Sequence, residues 1–548
     1  MRSDQVGHIG NLEIKNRIAM APMISNLANP DGTTNETHLR YLEERAKGGA
    51  GLIITEYTYV NDRNSRGSRN ELGAFSSTQI PKLRRIPESI HKYCSKVFMQ
   101  IVHAGGKALQ EENRQKPKAP SPVDYMGRTP AEMSESDIEE VIKDFEKSAS
   151  IAGNAKFDGI EIHGAHGYLI HEFISPILNV RQDRYGGSFE KRLVVPQMVI
   201  DAVKGNRDIP VGIRLSLYED DPNGFDPSYG LKVAESLQGV DYVHFSAGNF
   251  NPPGSSASFY TQEAHILARL HRRPRVTSII VGSFLNAESI EKALEVCDFV
   301  SIARGMLADP AFASKIITSP TLLRPCIRCN QGCRDLAYGE VRCTVNPSVG
   351  YENSHIDRYS GEITIVGGGI QGLEAALFAA KSGLSVTLYE ASGLLGGQLN
   401  RISDEYKKKA FLPLVSYYKS ALNKIGVDVE LDSRYTGKGI YCLPPVTYPE
   451  VPEDADLVES NIYAHHDAFL SMAGTRKLTV GTKSLNSLDR ARKSAYMQIA
   501  ASRGIEFVEA ADFSFSMIVK EQYDILQAMI TGRTKVSLYI SEKRSDFL

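Results

Sequence analysis

Short apolar runs that are rich in β-branched residues recur through the first part of the chain, and helical patterns separate them. Eight of these runs are predicted to be strands: residues 17–23, 51–60, 96–104, 157–165, 211–217, 241–248, 275–283 and 299–305. Ser136 and Glu139 fit a capping box, which predicts a helix from there to about Ala155. Eight strands that alternate with helices predict a (β/α)8 TIM barrel of the α/β class.

The carboxyl ends of these strands carry polar residues and glycines, and a barrel of this kind forms its active site there. The residues are Pro22, Met23, Gln100, His103, His163, His166, Arg214, Ser246, Gly282 and Arg304. Gly282 and Arg304, on the seventh and eighth strands, fit a phosphate site, and Arg214 can stabilise an electron-rich ring in its anionic reduced form. Each residue alone could be structural, but the whole set predicts a cofactor site.

A dinucleotide-binding pattern begins near Ser360. A predicted strand at 362–366 leads into Gly367-x-Gly369-x-x-Gly372, a helix follows, and the next strand, at 384–389, ends before Glu390. The turn thus has the strand and helix that the fingerprint requires. The helix N-terminus can receive a pyrophosphate, and Glu390 can accept hydrogen bonds from ribose hydroxyls. A Rossmann-like domain is therefore predicted.

Four of the seven cysteines, Cys326, Cys329, Cys333 and Cys343, lie between the two predicted domains with the spacing C-x2-C-x3-C-x9-C. Thiolates gathered this tightly can share a soft metal centre, so an iron–sulfur cluster and a structural zinc ion both fit the spacing. A disulfide is less favoured because cysteines are otherwise sparse. The position between two redox domains favours iron–sulfur and predicts a one-electron relay.

A second, weaker unit follows, with a strand at 477–480, a turn at 481–488, a helix at 489–502 and a strand at 505–508. Only Gly481 remains of the glycines that such a turn needs, and without them the backbone cannot approach a pyrophosphate closely. We therefore expect a shortened, degenerate NAD(P) lobe at about residues 455–515. Ordinary divergence with binding retained is the alternative.

The barrel segment carries five distinctive motifs, which are Ala21-Pro22-Met23, Gln100-x2-His103-Ala104-Gly105, Glu161-Ile162-His163-Gly164-Ala165-His166-Gly167-Tyr168-Leu169, Asn179-x-Arg181-x-Asp183-x-Tyr185-Gly186-Gly187 and Ala303-Arg304-Gly305. In these motifs the barrel resembles the Old Yellow Enzyme family of FMN oxidoreductases. With the cysteines and the Gly-rich turn, the whole chain is similar to the longer subgroup of that family. That subgroup includes 2,4-dienoyl-CoA reductase, trimethylamine dehydrogenase and bacterial NADH:flavin oxidoreductases.

The resemblance implies three cofactors in three segments: FMN in a barrel at 1–320, a 4Fe–4S cluster at 321–360, and FAD in a Rossmann-like domain at 361–548. The residues implied in FMN binding are Pro22, Met23, Gln100, Arg214, Gly282 and Arg304. Those implied in FAD binding are Gly367, Gly369, Gly372, Glu390 and Gln398. The cluster ligands are the four cysteines. Whether NAD(P)H donates electrons stays open.

The resemblance also implies a reaction. His163 and His166 would grip a substrate carbonyl oxygen, and Tyr168 would donate a proton. Reduction of the activated C=C of an α,β-unsaturated carbonyl or thioester needs a hydride at one carbon and a proton at its neighbour. Two alternatives are an amine dehydrogenase or demethylase that sends electrons outward, and a flavin electron-transfer protein whose catalysis has lapsed. Tyr57 departs from the family, which usually has a small residue there, and should narrow the pocket near the flavin or replace a contact made by the substrate.

Charge and hydropathy set further expectations. The chain has 63 basic and 65 acidic residues and a net charge of −2, so we expect neither nucleic acid nor an anionic membrane as a partner. The first residues lack the apolar core of a signal peptide, and no apolar run is long enough to cross a bilayer. We expect a cytoplasmic homo-oligomer that acts on a small unsaturated substrate, with a redox protein as a further partner.

Overall fold

Eight parallel strands close into a barrel at the start of the chain. The computed structural model describes residues 1–124, 127–205, 207–249, 257–334, 336, 339–352, 356–443, 448–473, 475–488, 490–509, 512–519 and 523–545. The barrel strands are β1 (Ile18–Met20), β2 (Leu52–Ile54), β3 (Lys96–Val102), β4 (Gly159–Gly164), β5 (Val211–Ser216), β6 (Tyr242–Ser246), β7 (Ser278–Ile280) and β8 (Phe299–Ile302). Neighbours in the chain pair in parallel, and β8 pairs with β1. The predicted TIM barrel is confirmed.

Helices connect the barrel strands. They are α1 (Glu36–Lys47), α2 (Ile80–His91), α3 (Glu135–Asn154), α4 (Leu169–Ile174), α5 (Phe189–Arg192), α6 (Val194–Lys204), α7 (Pro227–Ser236), α8 (His265–Arg269), α9 (Ala287–Ala293), α10 (Arg304–Ala308) and α11 (Phe312–Thr318). The predicted capping box of α3 was placed two residues late. Ser134 is the N-cap, and its hydroxyl accepts from the backbone N–H of Asp137 at 3.2 Å. Ser136 and Glu139 already belong to the helix.

The barrel is closed at its amino end and open at its carboxyl end. Every residue of β4, β5, β6 and β8 is buried, as expected for strands covered on both faces. An antiparallel hairpin, Gly7–Ile9 with Leu12–Ile14, places Ile9 and Ile14 in a buried cluster with Phe98, Tyr242 and Phe299. Shorter strand pairs join Thr58–Tyr59 to Leu72–Gly73 and Lys118–Ala119 to Ala131–Glu132. A ligand can therefore enter the barrel at its carboxyl end.

The Gly-rich turn opens a parallel four-stranded unit. Its strands are β9 (Glu362–Val366), β10 (Ser385–Tyr389), β11 (Asp428–Glu430) and β12 (Ile440–Tyr441), in the spatial order β11-β10-β9-β12. Its helices are α12 (Ile370–Lys381), which follows the turn, and α13 (Glu405–Ile425). The last helix, α16 (Ile525–Ser545), returns to pack on α12. This is the order expected of a Rossmann-like unit, with the first strand central.

A second parallel unit forms the shortened lobe, at about residues 455–515. Its strands are β13 (Leu457–Ser460), β14 (Leu478–Gly481), β15 (Ile505–Val508) and β16 (Phe515–Met517), in the order β15-β14-β13-β16, and its helices are α14 (Tyr463–Ala473) and α15 (Arg490–Ser502). The order repeats that of the first unit, so β13 is the lobe's first strand. The predicted strands at 477–480 and 505–508 and the helix between them are present as β14, β15 and α15, but they follow the lobe's first strand, so the prediction that the turn at 481–488 is the nucleotide-binding turn was wrong. Among the described residues, no helix is long and apolar enough to span a membrane.

Candidate functional site

A cavity of about 730 Å³ opens at the carboxyl end of the barrel. Of the residues implied in FMN binding or catalysis, those on its wall are Pro22, Met23, His163, His166, Tyr168, Arg214, Gly282 and Arg304. Gln100 is buried in β3 and is not part of that wall. The wall also includes Tyr57 and Lys107. Strand ends that are far apart in the sequence thus meet at one site.

The two histidines lie side by side at the end of β4. His166 has a left-handed backbone (φ 62°), which brings its Nδ1 within 3.4 Å of Nε2 of His163. Its other nitrogen, Nε2, lies 2.7 Å from the Ser246 hydroxyl. Burial, and then the positive charge of Arg214, lowers the pKa of both imidazoles well below 6.5. Both rings are therefore neutral near pH 7, and each has one N–H to donate.

Tyr168 stands against this pair. It is the residue before α4, and its ring contacts His163 edge-on with 4.9 Å between centroids. Tyr57 contacts the other side of Tyr168 at 5.4 Å, which places its bulk on the cavity wall as expected. Burial, followed by the nearby Tyr168, raises the pKa of Tyr57 well above 10, so its hydroxyl stays protonated.

Sequence reasoning missed Lys107. Its ammonium group lies 5.3 Å from the centre of the Tyr168 ring and donates to the carbonyl oxygens of His166 and Asn249, the latter at 3.1 Å. Lys107 could have been identified from the sequence because it directly follows Gly105-Gly106, next to the end of the third strand. A cation beside a phenol stabilises the phenolate that remains once the proton has left.

Gln100 and Arg214 have the free polar groups that a flavin ring needs. The Gln100 amide donates to Glu161 at 2.6 Å, which leaves its Oε1 buried without a hydrogen-bond partner among the described residues. Arg214 donates to the Pro22 carbonyl at 3.2 Å, and its Nε is likewise buried and unpaired in the described part of the chain. Burial lowers the pKa of Arg214 to about 10, so it remains a cation. An acceptor and a cation buried together fit FMN.

Arg304 connects the ends of β7 and β8 to the cysteine segment. Its guanidinium group donates to the Ser283 hydroxyl at 3.0 Å and to the Ala257 carbonyl at 2.6 Å. It also donates to the side-chain oxygen of Asn330, which lies between Cys329 and Cys333. A phosphate bound at the ends of β7 and β8 would therefore meet a guanidinium group that is already held in place.

The four cysteines line one further cavity. Burial, followed by the neighbouring Cys326, raises the pKa of the Cys343 thiol well above its usual value. In the part of the chain that the structure describes, no three His, Cys, Asp or Glu side chains are arranged to hold a single metal ion. Cys326 and Cys333 also border the barrel cavity.

The backbone of this segment is suited to an anionic cluster. Arg328, Asn330 and Gly332 have positive φ values of 54°, 58° and 57°, in alternation with ordinary residues. Such alternation turns successive N–H groups toward one concave side, an arrangement that occurs at iron–sulfur sites. One N–H, that of Arg328, points at the Cys326 sulfur at 3.4 Å. The donor set and the backbone together fit an iron–sulfur cluster.

The first Rossmann-like unit has the backbone geometry of the dinucleotide-binding fingerprint. Gly367 has a φ of 107°, and a Cβ on Gly372 would lie 1.8 Å from the Gly367 carbonyl oxygen, so both positions require glycine. Glu390 accepts from the backbone N–H of Gly368 at 2.6 Å and of Ser392 at 2.8 Å. Burial opposes ionisation of Glu390, but these bonds outweigh it, and its pKa lies below the usual value. Gln398 is exposed, in the loop beside the turn.

The second unit has no such turn. After β13 the chain reads Asn461-Ile462-Tyr463, without glycine. The Asn461 amide donates to the Val519 carbonyl at 2.7 Å and accepts from the Val519 N–H at 2.9 Å, which ties the end of β13 to the chain that follows β16. A dinucleotide would enter the crevice between these two strands. In this lobe, protein groups occupy that crevice.

Comparisons with known proteins agree with this geometry. A family model described as NADH:flavin oxidoreductase / NADH oxidase family matches residues 8–320, and one described as FAD dependent oxidoreductase matches residues 362–403. The NADH oxidase of Thermoanaerobacter brockii is 36% identical over 80% of this chain and 71% of its own length. The cinnamate reductase of Clostridium sporogenes is 31% identical over 77% of this chain and 70% of its own length.

Solved structures resemble the whole fold. A 2-naphthoyl-CoA reductase in complex with 2-naphthoyl-CoA has a TM-score of 0.85 at 19% identity, with 98% of this chain and 99% of that one covered. Histamine dehydrogenase from Rhizobium sp. 4-9 has a TM-score of 0.82 at 20% identity, with coverages of 98% and 96%. At such identities the likeness shows the fold alone. From the sequence matches, this chain is an FMN-dependent oxidoreductase that belongs to the NADH:flavin oxidoreductase / NADH oxidase family.

Proposed function

We propose that this chain reduces the activated C=C bond of an α,β-unsaturated carbonyl compound or thioester. The observation that carries the proposal is the convergence of His163, His166 and Tyr168 on one cavity, with both imidazoles neutral. The relative named cinnamate reductase supports it, since cinnamate carries a C=C bond conjugated to a carboxyl group. The proposal covers the reaction and the class of substrate.

The two histidines would act on the substrate's carbonyl oxygen, and Tyr168 would act on a substrate carbon. The two imidazole N–H groups would donate to the carbonyl oxygen and draw electron density from the conjugated C=C bond. Tyr168 would then give its phenolic proton to the carbon next to the carbonyl group. FMN, held by Pro22, Met23, Gln100, Arg214, Gly282 and Arg304, would supply the hydride for the other carbon. Lys107 would stabilise the Tyr168 phenolate until solvent returns the proton.

The remaining cofactors belong to the same proposal. Cys326, Cys329, Cys333 and Cys343 would ligate one 4Fe–4S cluster, and Gly367, Gly369, Gly372, Glu390 and Gln398 would bind FAD. Support comes from the shared cysteine cavity and from the intact Gly-rich turn. Because Cys326 and Cys333 border both cavities, the cluster would lie beside the barrel flavin. Single electrons could then pass between FAD and FMN.

A substrate panel tests the reaction. Enzyme reduced anaerobically with dithionite would be mixed with enones and enoyl thioesters, and oxidised enzyme with methylated amines, while the flavin absorbance is followed. We expect an unsaturated carbonyl compound to reoxidise the flavin and the amines to leave the oxidised flavin unchanged. Reduction of the flavin by an amine would replace the proposal with amine dehydrogenation. No response to either class would favour an electron-transfer protein.

Cofactor content is a separate prediction. We expect one FMN and one FAD per chain after acid release, together with iron and acid-labile sulfide in anaerobically purified protein. Cys329→Ser should lower the iron content and leave FMN in place, because Cys329 borders the cysteine cavity and not the barrel cavity. Cys94→Ser, at an exposed cysteine outside the segment, is the matched control. Zinc in place of iron would contradict the cluster, and FMN alone would mean that the second flavin site is vestigial.

The histidine pair gives a binding prediction. His166→Ala removes one donor to the carbonyl oxygen, which is worth about 1.4 kcal/mol, or tenfold in the dissociation constant of an enone. From pH 7 to pH 8 the affinity of the unmodified enzyme should be nearly constant, because both imidazole pKa values are well below 6.5 and both rings stay neutral. Titration of the flavin spectrum with ligand measures both effects. A steep loss of affinity from pH 7 to pH 8 would show that a charged imidazole binds the ligand.

A further inference from the structure

The shortened lobe packs against the barrel and the cysteine segment, although the Asn461–Val519 hydrogen bonds fill its nucleotide crevice. Tyr260 lies in the barrel loop between β6 and α8. Its ring contacts Tyr496 of α15 with 6.0 Å between ring centroids and Tyr406 of α13 with 5.9 Å. The same loop contributes Phe259, which contacts Phe411 of α13. One aromatic cluster therefore joins the barrel, the first Rossmann-like unit and the lobe.

Arg492 of α15 reaches from the lobe to the cysteine segment. Its side chain is 5% exposed, and its Nη1 donates to the carbonyl oxygen of Cys329 at 3.1 Å. The guanidinium carbon lies 4.8 Å from the ring centre of Tyr463 and 5.9 Å from that of Phe259. The two rings hold the guanidinium group in one place and shield it from water. A fixed positive charge thus lies beside the backbone of Cys329.

We propose that Arg492 is a positioning residue for the cysteine segment, and that its charge raises the reduction potential of the cluster held there. The role of Arg492 rests on the 4Fe–4S cluster proposed above. When the cluster accepts one electron it becomes more negative, and a buried cation nearby stabilises that form. The charge and hydrogen bonds around such clusters are known to set their potentials. The lobe would then serve the electron relay without binding a nucleotide.

Other charges near the segment are held by other parts of the chain. Arg328 donates to the Thr261 carbonyl and faces Glu263 at 3.9 Å, and Arg304 donates to Asn330. On the lobe side, Asp467 pairs with Lys407 at 2.8 Å. Arg492 thus brings a positive charge from the lobe to Cys329, and the lobe can influence the cluster through this side chain.

The test is a redox titration of the anaerobic holoenzyme, followed by the electron paramagnetic resonance signal of the reduced cluster. In Arg492→Gln we expect the ratio of reduced to oxidised cluster at a fixed potential to fall about tenfold, which is about 59 mV for a one-electron couple. Arg492→Lys keeps the charge without the planar fork, so its shift should be smaller. Arg503→Gln is the matched control, because Arg503 donates to Leu470 within the lobe, at 2.9 Å.

Three results would overturn the role of Arg492. An unchanged potential in Arg492→Gln with normal iron content would show that the charge is not felt. Loss of iron in both Arg492 variants, with the remaining clusters at the unmodified potential, would show a purely structural contact. An equal shift in Arg503→Gln would show that the effect is not local to Cys329. Zinc in the unmodified protein would instead overturn the cluster itself, and with it the role of Arg492, so the two failures are distinguishable.

Discussion

Tyr168→Phe is expected to slow the reduction of an enone by about 10²- to 10⁴-fold, the usual contribution of a well-placed general acid. The substitution removes one proton donor and little volume. The substitution also gives up the hydrogen bond between the Tyr168 and Tyr57 hydroxyls, but the ring contacts with His163 and Tyr57 need no hydroxyl, so the cavity should keep its shape and its FMN. Stopped-flow reoxidation of the reduced enzyme by an enone, with the FMN content measured on the same sample, tests this expectation.

Tyr57→Phe is the matched control, since it makes the same change on the neighbouring ring. Tyr57 touches Tyr168 and also lines the cavity, but the proposal gives it no proton to transfer. Its variant should keep most of the rate. If Tyr168→Phe reduced the enone normally and Tyr57→Phe did not, Tyr57 would be the acid. If both kept the rate, the proton would come from solvent, and the amine alternative would gain support.

The barrel could be predicted from the sequence because its signal is repeated. Each of the eight apolar runs contains one observed barrel strand, and closure of the barrel brings the strand ends together whatever the intervening loops do. His163, His166 and Arg214 could therefore be grouped before their distances were known. The individual hydrogen bonds of these residues could not be predicted, although Ser246 was among the predicted strand-end residues. Ser246 binds His166 across 80 residues, and Lys107 reaches Asn249 across 142, contacts that no local pattern records.

The position of the nucleotide-binding turn in the shortened lobe was predicted wrongly for a related reason. In a Rossmann-like unit the glycines after the first strand are the strongest local signal, and β13 is followed by none. The one glycine in the predicted turn at 481–488, Gly481, lies at the end of β14, which made that strand resemble the first. The sheet order corrects the assignment, because β13 is flanked by β14 and β16. Because no glycine follows β13, the sequence pattern placed the nucleotide-binding turn after the wrong strand.

The corrected order sharpens the expectation for NADH and NADPH. A Cβ on Gly481 would already lie 2.5 Å from a Glu459 carboxylate oxygen, and the Asn461–Val519 bonds close the end of β13. A buried carboxylate beside the crevice also opposes a pyrophosphate. We therefore expect either nucleotide to reduce the FAD slowly, at a rate that rises linearly with its concentration and does not saturate. Dithionite should still reduce the FAD, and an enone should still reoxidise the enzyme.

Stopped-flow mixing with each nucleotide separates the remaining routes for electrons. If hydride passes directly to FMN in the open barrel, reduction should saturate, and a saturated cyclic ketone should block it by occupying the oxygen site at His163 and His166. Asn461→Ala, which changes only the lobe crevice, should leave that reduction unchanged. Slow reduction by both nucleotides would instead leave a partner protein or a reduced flavin as the donor. Rapid, saturable bleaching of FAD that the ketone does not block, followed by reduction of the cluster, would show that the lobe still binds a nucleotide despite its filled crevice.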